Sequence, residues 1–216
     1  NKMRAIPKKN SKLVELILKH IKENLKEYII VSIILLIGII LGVLFVNNMN
    51  EHQSQEVKKY LTDFTGSLKE GSTIDNGKLL KKSIGSNLLF TVFMWFVGST
   101  VIGIPIVFGM IVFRGFCLGY TISSSIAIWG TGKGILFFVT SMLLQNLIFI
   151  PCMLALAVSG IKLYKSIMRD KRKENIKIEI FRHTIFSLFI LGLLVGAAFI
   201  ETYISSNLLM MYVSYL

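Results

Sequence analysis

Cysteine is nearly missing from this chain, and what there is sits in the wrong place for a cross-link or a metal. Cys117 and Cys152 are the only two, each inside an apolar stretch, so neither a disulfide framework nor a metal-ligand spacing is present. Acidic residues are half as frequent as basic ones, 12 against 24. Ionisable side chains are also scarce where catalysis or ion coupling in a membrane would need them: the fifty residues from Ser83 to Gly132 carry a single charge, Arg114. His20, His52 and His183 fall in three separate segments and Glu201 is read as lying at the outer end of the last apolar stretch, so no metal cluster or catalytic dyad is assembled. No catalytic, cofactor-binding or metal-ligating residue is therefore assigned, and the chain is not expected to be an enzyme. The "GTGKG" at 130–134 imitates part of a phosphate loop, but its length is wrong and no Ser or Thr follows Lys133.

What the sequence has in abundance is apolar length. With 53% hydrophobic residues against 17% charged and a mean hydropathy of +0.66, it cannot hide its apolar surface in a soluble core of this size. Measured against the roughly 20 apolar residues that cross a bilayer, the spacing predicts an all-α polytopic membrane protein of one membrane domain with five transmembrane helices. The first span is 28–46, the second and third share 86–132, the fourth is 134–161 and the fifth 184–200. Residues 1–27 form a basic amphipathic segment, 47–85 a helical loop, 162–183 a basic loop and 201–216 a tail. The first span is too long for the core of a cleavable signal and lacks a small-x-small site, so it reads as a retained anchor. The opening at Asn1, with Met3 close behind, reads as a trimmed or altered start.

Charge sets the expected orientation. Residues 1–27 hold eight Lys/Arg against three acids, 47–87 six against five, and 162–183 eight against three. The positive-inside rule then places the N-terminus and 162–183 in the cytoplasm and 47–85 and the C-terminus outside. The basic surplus is thereby topological, and no nucleic-acid reader motif accompanies it. In the first segment Val14, Ile17, Leu18, Ile21, Leu25 and Tyr28 recur at helical spacing, predicting a helix along the inner leaflet, with membrane lipids as partners.

Three features are candidates for function. Val57, Tyr60, Leu61, Phe64 and Leu68 make a helical stripe in the outside loop, either resting on the bilayer or bundle or offering a docking surface to a protein partner. Glycines four apart, Gly38/Gly42, Gly115/Gly119 and Gly192/Gly196, predict close backbone packing within one chain or between chains, which leaves a homo-oligomer open. Arg114 lies either at the turn between the second and third spans or, if that turn falls near Gly103-Ile104-Pro105, nine residues into the third span; in both cases it is expected to anchor at the cytoplasmic face, snorkelling along its own stem. Thr121, Ser123, Ser124, Ser125, Gln145 and Asn146 are read as interhelical hydrogen-bonding groups, with a polar pathway as the alternative.

With this plan in place, "HIKENLKEYIIVSIILLIGIILGVLFVN" at 20–47, "GIPIVFGMIVFRGFCLGYT" at 103–121 and "QNLIFIP" at 145–151 together give a chain that resembles the stage II sporulation protein M family. The resemblance implies a non-enzymatic membrane scaffold in the mother cell during engulfment, at the septal and engulfing membrane. Its implied partners are stage II sporulation proteins D and P, which degrade peptidoglycan. The alternative carried forward is a transporter or lipid-handling permease subunit on the same bundle, which a titratable group in mid-span would favour.

Overall fold

The computed structural model describes residues 12–70, 74–100, 102–169 and 173–213, and every regular element among them is helical. The N-terminal helix α1 (Lys12–Glu23) is amphipathic; the side chain of Val14 lies outside the described residues. It gives way at Asn24, whose side-chain amide donates to His20 O at 2.7 Å, to α2 (Leu25–Asn47). That helix is apolar all round, as a helix must be when lipid and other helices surround it.

Helix α3 (Glu51–Lys69) opens with a capping box: Gln53 N donates to Asn50 Oδ1 at 2.8 Å and Asn50 N to Gln53 Oε1 at 3.2 Å. Asp75 caps α4 (Asn76–Gly98) by accepting from Lys78 N. Then α5 (Gly103–Phe138) begins two residues ahead of Pro105, where a missing N–H costs nothing. The reversal between α4 and α5 thus lies before Pro105, and Arg114 is inside a helix rather than at a turn.

Within α5 the backbone breaks once. Gly130 has φ 79° and ψ 169°, a region that only glycine adopts without strain. Gly134 then comes back against Ser125 and Ile126, so the chain reverses there. A π-helical turn, Val139–Leu143, leads into α6 (Leu144–Arg169), which carries Pro151. Next, α7 (Lys173–Ile200) runs through a second π-helical turn, Glu201–Ser205, into α8 (Ser206–Val213). The expected tail after residue 200 is therefore a continuation of the last long helix. It continues because Leu208, Leu209, Tyr212 and Val213 keep its apolar character, and Leu209, Tyr212 and Val213 pack with Phe137, against which Leu61, Leu68 and Trp129 rest.

Among the described residues four helices are long and apolar enough to cross a membrane: Leu25–Asn47, Gly103–Met142, Leu144–Met168 and Ile176–Val213. The last three are packed with α4 around Met94, Ile111, Met153, Leu156 and Leu194. Side-chain contacts fix the registers. Asn87 Nδ2 donates to Leu194 O at 2.8 Å and Trp95 Nε1 to Thr184 Oγ1 at 3.0 Å, so α4 and α7 run antiparallel. Phe90 meets Phe149 at 4.9 Å between ring centroids and Gly98 meets Gly160, so α4 and α6 run parallel.

Candidate functional site

Two of the three glycine pairs face each other. A Cβ on Gly38 would lie 2.3 Å from Val112 O, and one on Gly42 the same distance from Phe116 O. From the other side, a Cβ on Gly115 would meet Leu35 O at 2.4 Å and one on Gly119 would meet Ile39 O at 2.1 Å. The partners ascend together along the chain, so α2 and the first part of α5 are parallel and touch backbone to backbone. Gly192 and Gly196 are not packed within the chain: both are exposed and an added Cβ meets nothing within 4 Å. Their stripe faces away from the bundle because α7 buries the other side, Ile190, Leu194, Ala197 and Ala198.

The Arg114 guanidinium does not follow its own helix to a face: Nη2 donates to Asn146 Oδ1 at 2.6 Å, and Cζ lies 4.3 Å from the centre of the Phe149 ring. Asn146 is 1% exposed and itself donates to Met142 O at 2.8 Å. Because Arg114 stands one residue before Gly115, it is level with Gly38, the fourteenth residue of the 23-residue α2. Its contacts are thus interhelical, with Asn146 and Phe149 of α6, level with the middle of α2. Arg114 Nε is buried without a partner.

Glu201 lies deeper in the fold than its place in the sequence suggests. Rather than ending the last span it stands inside the long C-terminal helix, at the start of the π-helical turn, and its Oε2 accepts from Ser83 Oγ of α4 and from Gln145 Nε2 of α6 at 2.7 Å. Gln145 and Asn146 are consecutive, so one turn of α6 holds the carboxylate with one side chain and the guanidinium with the next. The apolar run Leu208–Val213 beyond Glu201 was the signal that the helix goes on. Buried hydroxyls without partners, Ser124, Thr202 and Ser205, add to this polar interior. The arrangement sets a carboxyl group and a guanidinium, each hydrogen-bonded to α6, within the bundle.

The stripe on α3 divides. Leu61 and Leu68 rest against the cluster of Phe137, Leu209, Tyr212 and Val213. Val57, Tyr60, Leu61 and Phe64 form one wall of a groove of ≈ 600 Å³ whose other wall includes Tyr120, Ser124 and Phe137. Tyr60 itself remains 73% exposed. A second groove, ≈ 440 Å³, runs beneath α1 between α6 and α7. His183 is buried and shares a 2.8 Å hydrogen bond with Ser159, packed under Gly98. Residues 130–134 form the glycine reversal after α5's first part, and Lys133 O accepts from Tyr212 OH at 2.7 Å, which is a structural use of that segment. Among the described residues no three His, Cys, Asp or Glu side chains come together as metal ligands.

Against known protein families, the model described as stage II sporulation protein M matches residues 31–206. No curated protein and no solved structure matches the chain.

Proposed function

Since the chain belongs to the stage II sporulation protein M family, and so to the membrane proteins of sporulation, we propose that it works as a non-enzymatic scaffold that holds peptidoglycan-degrading enzymes at the septal and engulfing membrane. Stage II sporulation proteins D and P are the partners this reading takes.

The observation that carries the reading is the seating of α3. Leu61 and Leu68 tie it to the end of the bundle while Tyr60 stays open, so an aromatic surface is offered at a fixed position on a rigid base. Aromatic anchors held this way lose little freedom on binding, which is what a docking surface needs. The reading takes five crossings, the four long apolar helices together with α4, which packs among them. Taken in order, α2, α4, the first part of α5, the returning segment through α6, and α7 alternate in direction by the registers given above. With Lys and Arg favouring the cytoplasm, α3 then lies outside, toward the wall.

A permease subunit is the second reading, and one observation favours it: Arg114 and Glu201 are both inside the bundle, where charges are costly and commonly functional. Affinity purification from sporulating cells in mild detergent separates the two. Wall-degrading enzymes should elute with the wild type and be lost from the variant carrying Tyr60→Ala and Phe64→Ala. An ATPase subunit in the eluate, unaffected by that variant, would overturn the scaffold.

A further inference from the structure

The groove beneath α1 is lined almost wholly by carbon, including Ile21, Tyr28, Pro151, Ala155, Phe186 and Leu193. Its chemistry changes at one end. His20 lines it there, stacked on Phe186 with ring centroids 5.2 Å apart, and Tyr28 OH lies 3.3 Å from His20 Nδ1. Lys162 follows Ala155 by seven residues on α6, which is two helical turns along the same face and about 10 Å toward the basic loop.

Lys162 is exposed and makes no ion pair among the described residues. The nearby carboxylate of Glu27 is already taken by Lys165 at 2.5 Å, and Glu23 lies 3.9 Å from Lys19. Beyond the His20 end of the hydrocarbon slot Lys162 therefore stands as a cation without an ion-pair partner among the described residues, its charge reaching the imidazole together with the opposing one of Glu23. We propose that this groove binds one anionic phospholipid, with an acyl chain along the slot and the phosphodiester at its charged end between Lys162 and His20.

Each part of that ligand meets a matching surface. Hydrocarbon is what surrounds these helices in a bilayer, so a chain entering the slot exchanges one apolar contact for another and needs no opening of the fold. Burial, with the positive charge of Lys162 adding to it, holds the His20 pKa below its usual value, so the ring is neutral near pH 7. In the tautomer in which the Tyr28 hydroxyl donates to Nδ1, the ring proton is on Nε2, where it can donate to a phosphate oxygen. If the basic segments are cytoplasmic, the site faces the leaflet that carries anionic lipid. The site is independent of the scaffold reading, since it lies at the opposite end of the bundle from α3.

Native mass spectrometry of the purified full chain in mild detergent, titrated with phosphatidylglycerol or phosphatidylcholine of identical chains, tests this. Phosphatidylglycerol should bind about fivefold more tightly, the contribution of one lysine at a membrane surface. Lys162→Gln should erase the preference, and Ala155→Phe, which fills the slot, should weaken both lipids. Lys22→Gln, exposed on the other face of α1, should leave the preference intact. Equal affinity for the two lipids in the wild type would overturn the site. So would loss of preference in Lys22→Gln as complete as in Lys162→Gln, since a diffuse field rather than a site would then be responsible. Glycerol phosphate, which offers the anion without the chain, should not compete at equal concentration; if it does, the acyl slot plays no part and the proposal fails.

Discussion

Arg114 Nη2 reaches Asn146 Oδ1 at 2.6 Å from a position level with the middle of α2, so the one charge in a fifty-residue stretch is held by a neighbouring helix. A planar guanidinium can bond Asn146 and lie over Phe149 at once; a lysine ammonium is a point charge and cannot do both from the same place. Arg114→Lys should therefore lose up to about 2 kcal/mol, the size of a desolvated cation–π contact. Arg114→Leu should lose more, because Asn146 Oδ1 is left buried and unpaired at a further cost of about 1–3 kcal/mol. Thermal unfolding in detergent reads both, and a Lys variant as stable as the wild type would restore the snorkelling anchor.

The glycine pairs predict opposite outcomes for the same change. Gly42→Ala drives a methyl into Phe116 O and must separate α2 from α5, so it should lower the unfolding temperature sharply. Gly196→Ala meets nothing and replaces a poor helix former, which is worth up to about 1 kcal/mol in favour of the fold. Equal effects at the two positions would show that the α2–α5 contact is not close-packed.

Gly130 is tested by its backbone, not its surroundings. No atom lies within 4 Å of a Cβ added there or at Gly132, yet only Gly130 has φ 79°. Gly130→Ala should cost about 1–3 kcal/mol from strain alone, while Gly132→Ala should be close to neutral. Chemical unfolding of the two variants side by side checks the difference.

Topology can be read by thiol labelling after Cys117 and Cys152 are replaced. Single cysteines at Ser67 on α3 and at Lys133 beside the reversal, both exposed, should react with an impermeant reagent in intact cells. One at Met168, 58% exposed near the end of α6, should react only after permeabilisation. Labelling of Met168→Cys in sealed cells would invert the orientation drawn from the charges.

Much of this molecule was legible without coordinates, and the limit has a physical cause. Solvent preference is additive along a chain, so composition and apolar run length alone determined that the protein is a set of long helices suited to a membrane. Helical periodicity likewise determined which residues share a face, and so the stripes of Gly38 with Gly42, Gly115 with Gly119 and Gly192 with Gly196. Periodicity says nothing about what stands opposite a face. Only the packing of α5 on α2 decided that the first two stripes meet backbone, while the third, of identical spacing, is left open. The same holds for the charges. Arg114 was visible as an anomaly, but its partner is 32 residues away on α6. Glu201 looked terminal because polar residues follow it, yet its partners are 118 and 56 residues back in the chain, on α4 and α6. Where a hydrogen bond in an apolar interior joins residues so distant in sequence, its existence depends on the rotation and register of two helices, and those are set by the whole bundle at once.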